Sequence, residues 1–371
     1  MKTMGVYAAS LMLSLAVSST AFALFDDGAR YAFMASMSSK SIFVIDLQQR
    51  TLAHTIVLKK APSSVTVSER LQALVIAHAA QQSLTLIDLS SSELMPINYP
   101  LDLTPSSVVM SPVGETVAIF DKEAGRLQVH AFRRRTVLLS VDDVRTESGF
   151  TFSADGATLF WVDDTRGTFN AVDLWSERKS IVLAEPQSGL SAISRSIDGT
   201  LAFVSEASAG IVHMIDLSSF ATLRKVRVGA SPGRPWGTAD GRYMLVPNNG
   251  GRTMTAISTA SGESIYTVPT VEHPSFINPG WLDTTVAAVG EFGHIAFIDI
   301  DNGNVTARYQ LDGAPLDGIV TSDSRTLAIP VPESGSLVFF DMQSRTRTSS
   351  IVGLPRDIGP AALAISNNLC H

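Results

Sequence analysis

Few residues in this 371-residue chain have both the type and the placement for chemistry, and they gather beyond residue 233. Arg234 and Trp236 lie two residues apart, His273 follows, and Asp317 and Arg356 come later. An arginine fork is suited to bidentate recognition of a carboxylate, an indole offers a stacking wall, and His and Asp can serve as ligands or proton carriers. Glu291 and His294, three residues apart beyond His273, raise the alternative of a His273/Glu291/His294 metal site. The P-loop, G-x-G-x-x-G and H-E-x-x-H patterns are absent. Cys370, the single cysteine, stands beside His371; it reads as a tail thiol, with a Cys-His ligand pair or an intermolecular bridge as the alternatives, and no intramolecular disulfide can form.

The elements that must position these residues come from a repeat. A β-rich run ending in Asp recurs at Asp46, Asp88, Asp173, Asp216, Asp299 and Asp341, with Ala131 and Ser258 filling two degenerate copies. Successive anchors are 41 to 43 residues apart. Each unit holds four short strand signals, and turns such as Ser153-Ala154-Asp155-Gly156 and Thr238-Ala239-Asp240-Gly241 separate the first two. Asp-Gly supplies the positive-φ residue such a hairpin needs. A β-rich period of this length is the signature of a propeller blade, so the sequence predicts an all-β, eight-bladed propeller of four-stranded antiparallel blades. The first unit opens at its second strand, Tyr31-Ala32-Phe33-Met34, and its missing innermost strand is supplied by the C-terminal run Gly359 to Ile365, which closes the ring.

The unit containing Ser231-Pro232-Gly233-Arg234-Pro235-Trp236-Gly237, followed by Asp240-Gly241 and Tyr243 to Gly250, resembles the YVTN-type β-propeller repeat of the superfamily that includes cytochrome d1-haem domains. The resemblance covers nearly the whole chain beyond residue 23 and concerns fold more than activity. It implies binding proteins, cofactor-assembly proteins or enzymes, with a tetrapyrrole or a divalent metal as the cofactors to consider. The eight-fold count favours the d1-haem type, although no d1-specific residue set is present. Lactonase-like relatives use carboxylates and Asn around a metal, which Asp163, Glu206, Asn248 and Asp317 could imitate.

In a four-stranded meander the turns between strands two and three share one face with the blade-to-blade connections, and ligands usually bind there, at the channel mouth. Twenty-four residues before each anchor, where an innermost strand starts, the chain reads Ser64, Ser107, Gly149, Ala192, Arg234, Ser275 and Asp317. Small residues suit a crowded channel, so Arg234 and Asp317 depart from the pattern. An ion pair between them, with Trp236 packed between blades, is the plain structural alternative to a ligand site. Ten residues before the anchors the column reads Ser36, His78, Asp121, Asp163, Glu206, Asn248, Val289 and Val331, a position where Asn or Asp caps its own turn. His130 takes a position that is apolar in the other blades and reads as a neutral core histidine.

Lys2, the apolar run Val6–Val17 and Ala21-Phe22-Ala23 make residues 1–23 a signal peptide cleaved after Ala23, leaving 24–371 as one propeller domain in the periplasm or secreted. The run is too short to span a bilayer, where about 20 residues are needed. A formal net charge of −7, with no basic run longer than the three arginines at 133–135, argues against nucleic acid as a partner. The expected role is a binding or accessory protein, not an enzyme, holding a small ligand, cofactor or another periplasmic protein at the channel mouth. A d1-haem-type oxidoreductase or biosynthetic protein, a lactonase-like hydrolase and a pure interaction scaffold are the alternatives.

Overall fold

The computed structural model describes residues 30–68, 72–91, 94–131, 134–146, 149–175 and 178–363. The proposed signal peptide, Cys370 and His371 lie outside them. Thirty-two strands, β1 to β32 in chain order, form eight four-stranded sheets, and the expected propeller is what the chain builds. Seven blades run in chain order from the innermost strand to the outermost. Blade one combines Tyr31–Ser36 (β1), Ser41–Asp46 (β2) and Thr51–Val57 (β3) with the C-terminal Ile358–Leu363 (β32), which pairs antiparallel with β1 and closes the ring. Ala364 and Ile365, the end of the expected closing strand, are beyond the described residues.

Strand alternation makes this ring. Successive side chains of a strand point to opposite faces, so in β1 Phe33 faces blade two while Met34 faces blade eight. Both are fully buried. Repeated round the ring, this yields eight hydrophobic clusters, one at each junction between neighbouring blades. Each middle strand is thus covered on both faces, which accounts for the low charge of the sequence. Burying one such Phe is worth about 2–3 kcal/mol.

The repeated residues have local work to do. The anchor carboxylates end strand three and cap the turn into strand four. Asp46 accepts from the N–H groups of Gln48 (3.0 Å) and Gln49 (2.8 Å), Asp216 from Ser218 and Ser219, and Asp299 from Asp301 and Asn302. In the turn between strands one and two, the Ser196 hydroxyl donates to Asp198 and accepts from the N–H of Leu201. Gly199 and Gly241 in these turns have φ of 71°. A Cβ on Gly241 would lie 2.8 Å from Ile197 of the preceding blade, so glycine also permits the close approach of neighbouring hairpins.

Several of the strand-two ends act as latches. Asp121 accepts from Thr104 N–H of the incoming connection (2.8 Å) and from Ala124 N–H of its own turn (3.0 Å). Asn248 accepts from Gly229 N–H and donates to Thr253 and Thr255. His78 bonds the carbonyl of Ala61 through Nδ1 and Thr85 through Nε2. Capping of the turn holds for Asp121 and Asp163. Fastening the connection from the previous blade is the further role that the structure adds.

Candidate functional site

The channel mouth is built where the innermost strands begin. The bridge Pro232↔Asn248 is followed by the pair Trp236↔Leu245, so the inner strand of blade six carries one residue more than its partner over the same stretch. In blade eight, Leu316 N–H bonds Pro330 O, and the next pair is Ile319↔Ala328. In blade seven the register shifts between Pro274 and Phe276. These are β-bulges, which bend a strand and re-aim a side chain. The extra residues fall at Arg234, Ser275 and Asp317, the column that sequence comparison singled out.

Arg234 and Asp317 come together electrostatically across the mouth, with small Ser275 of blade seven between their two blades. Arg234 Nε donates to Ser194 Oγ of blade five (3.3 Å), and its guanidinium lies over the Trp236 ring, 4.8 Å from the centroid. Ser194 in turn donates to the carbonyl of Pro235. One face of Trp236 is therefore a platform for Arg234, and the ring packs partly buried against the core between blades six and seven. Burial opposes the Arg234 charge and the Asp317 charge supports it. Burial dominates at Asp317 and pushes its carboxyl up to about 7, although Arg234 and the Gly318 N–H pull it down. Asp317 Oδ1 is buried with no hydrogen-bond partner, and so is Trp236 Nε1.

The other sequence candidates stand on the same rim but apart from this pair. His273 is exposed, takes a left-handed φ of 44°, and sets its ring edge-on to Phe292 at 5.8 Å. Phe292 is on the turn between strands two and three, so His273 leans outward from the channel. Glu291 and His294 are exposed beside it. Among the described residues no three His, Cys, Asp or Glu side chains are gathered as a metal site, so His273, Glu291 and His294 are neighbours on a rim and not an assembled ligand set. Arg356 is exposed at the start of the closing strand. Its neighbour Asp357 accepts from the Ser36 hydroxyl and from the N–H and hydroxyl of Ser38, latching blade eight to blade one. Of the lactonase-like set, Asp163, Glu206 and Asn248 are committed to internal bonds.

The histidines also bear on a tetrapyrrole. His130 is buried, donates from Nε2 to Gln128 Oε1 (2.8 Å), accepts from Tyr99 at Nδ1 (3.2 Å), and is held below the usual histidine range by burial. It is the neutral core histidine that its position implied. His213 is buried against Glu206 and is likewise shifted down by burial. Among the described residues, then, the innermost strands present no imidazole. The innermost strands thus offer a tetrapyrrole Arg234 for its carboxylates but no axial histidine.

No protein-family model and no curated protein matches the sequence. Solved structures do match the fold. The dihydro-haem d1 dehydrogenase NirN, in complex with DHE, superposes with a TM-score of 0.75 at 14 % identity, over 95 % of this chain and 79 % of its own. The chain therefore shares the β-propeller fold of that structure. AztD from Citrobacter koseri (TM-score 0.67, 12 % identity, 90 % of this chain and 96 % of that one) and BamB from Moraxella catarrhalis (0.61, 13 %, 80 % and 90 %) share the architecture. At such identities the likeness is one of fold, and function must be argued from the site. Ser194 is the part of this propeller's mouth that sequence reading missed; its only signal is a position 40 residues before Arg234, about one repeat.

Proposed function

We propose that this is an exported binding or accessory protein whose channel mouth holds a small carboxylate-bearing ligand between Arg234 and Asp317. The observation that carries the reading is the Asp317 carboxyl, set opposite a clamped arginine with one buried oxygen unpartnered. A buried polar atom without a partner costs about 1–3 kcal/mol, and a ligand would recover that cost. Near neutral pH a substantial fraction of Asp317 is protonated. It can then donate to one carboxylate oxygen of the ligand while Arg234 donates to the other. Above that range the ionised Asp317 repels the same ligand. Export rests on the charge and hydropathy pattern of residues 1–23. Among the described residues no helix is long and apolar enough to cross a membrane. A ligand-bearing structure among the fold neighbours is consistent with a channel that binds.

The test is native mass spectrometry of the protein purified from its own compartment, with absorption spectra alongside. A co-purifying organic acid that is lost in Arg234→Ala, and bound more weakly at pH 8 than at pH 6 in the wild type, is the expected result. A ligand retained unchanged by both Arg234→Ala and Asp317→Asn refutes the assignment of the mouth.

A further inference from the structure

The opposite face of the ring, where the hairpins between strands one and two and between strands three and four emerge, carries a second feature. It involves none of the residues of the mouth. Between blades eight and one lies a cleft of about 340 Å³ whose polar lining includes Arg30, Gln48, Arg50, Ser322 and Arg325. The repeat supplies its own control for this cleft. Arg30, Arg242 and Arg325 each stand sixteen residues before an anchor, at the foot of strand two.

In blade six, Arg242 reaches across the junction. Its Nη1 donates to Asp301 Oδ1 at 3.0 Å, on the turn between strands three and four of blade seven, while its Nε bonds Asp240 of its own blade. In blade eight, Arg325 is held in the same way on its own side, with Nε donating to Asp341 Oδ2 at 3.1 Å. Across the junction, however, the position equivalent to Asp301, two residues after the anchor, is Gln48 in blade one. The position two further on is Arg50 where blade seven has Gly303. Thus where one junction sets a carboxylate against the arginine fork, this junction sets an amide and a second arginine.

Arg50 is half-buried at a left-handed φ of 57°, and no hydrogen bond or ion pair engages its side chain among the described residues. Arg30 is fixed by Asp46 through Nε (2.9 Å) and Nη2. Two of the three guanidiniums are therefore oriented by carboxylates behind them, and the third is uncompensated. Orientation of this kind lowers the entropy lost on binding. Asp323 also borders the cleft, but its Oδ1 is engaged by the Thr321 hydroxyl and the Arg325 N–H.

We propose that this cleft is a binding site for a carboxylate, which takes the place between Arg325 and Arg50 that the Asp301 side chain takes beside Arg242. The carboxylate can come from a free organic acid or from an acidic side chain of a protein partner, and the chemistry of recognition is the same.

The experiment follows the Arg side-chain Nε–Hε resonances of Arg50 and Arg325 by NMR in the full mature chain. Acetate, succinate and the blocked dipeptide acetyl-Asp-Asp-amide are titrated at ionic strength held constant with chloride. Saturable shifts of both resonances are expected. Arg50→Gln should weaken binding read at Arg325 about tenfold, and Gln48→Asp should abolish the shifts of both arginines by installing the acid that blade seven already has. Since Arg50 has no internal partner to lose, Arg50→Gln keeps the fold. A dipeptide binding at least tenfold more tightly than the free acids identifies a protein side chain as the source; tighter or equal binding of succinate identifies a small acid. Absence of saturable shifts in the wild type, or wild-type affinity retained in Arg50→Gln and in Gln48→Asp, overturns the proposal.

Discussion

Replacing Asp317 by Asn removes a carboxyl that burial has raised from 3.8 to about 7. Between those two values the native chain holds a proton that the unfolded chain has released. Wild-type stability therefore falls as pH rises from about 4 to 7, and this contribution levels off above 7. Each pKa unit is worth 1.36 kcal/mol, so the full window costs about 4 kcal/mol and the step from pH 5 to pH 8 costs about 2–3 kcal/mol. Asn keeps the shape and carries no charge, so Asp317→Asn should gain that 2–3 kcal/mol on wild type between pH 5 and pH 8. Other titrating groups cancel in the comparison. Urea unfolding of both proteins at the two pH values measures it, at a constant m-value. Arg234→Ala should raise the Asp317 pKa further, because its charge favours the ionised carboxyl. A wild-type-to-variant difference that does not change with pH, or that changes in the opposite direction, refutes the assignment of Asp317 as a buried acid.

Phe339→Ala, in the junction between blades eight and one, should cost about 3–5 kcal/mol by calorimetry or denaturant unfolding, since the ring is fully buried among close-packed neighbours. Ending the chain at Asp357 deletes the closing strand, exposes the β1 edge and should abolish the single cooperative transition while promoting aggregation, read by calorimetry and light scattering. His130 is shifted below its ordinary 6.5, so its neutral form contributes stability that is lost as pH falls below that value. NMR titration should show an Nε2-protonated neutral ring through pH 6.5, and a His130→Gln variant should lose the acid-side part of the stability profile. Gly167→Val should destabilise strongly, because a Cβ there would lie 2.1 Å from the Ala184 carbonyl at a φ of 66°.

The repeat made the fold legible. Period, strand alternation and Asp-capped turns are all local, and together they set the eight blades, the anchor positions and the origin of the closing strand from the C-terminus. The column comparison also picked out Arg234 and Asp317, because a large charged residue among Ser, Gly and Ala is visible without coordinates. Ser194 and the Gln48/Arg50 cleft were harder to find. Each depends on which residue of one blade meets which residue of the next, and that contact is written in no single repeat.

Sequence alone thus determined the architecture of this protein and the two charged residues at its channel mouth. Tertiary structure decided what those residues meet. It placed Arg234 on Trp236, left an oxygen of Asp317 unpartnered, turned several strand-two ends into latches, and set His273, Glu291 and His294 along a rim without gathering them into a ligand set. The physical reason is range. Turn chemistry and alternation act within a few residues, whereas burial, pKa and partner choice are set across blade junctions by side chains some 40 or more residues away.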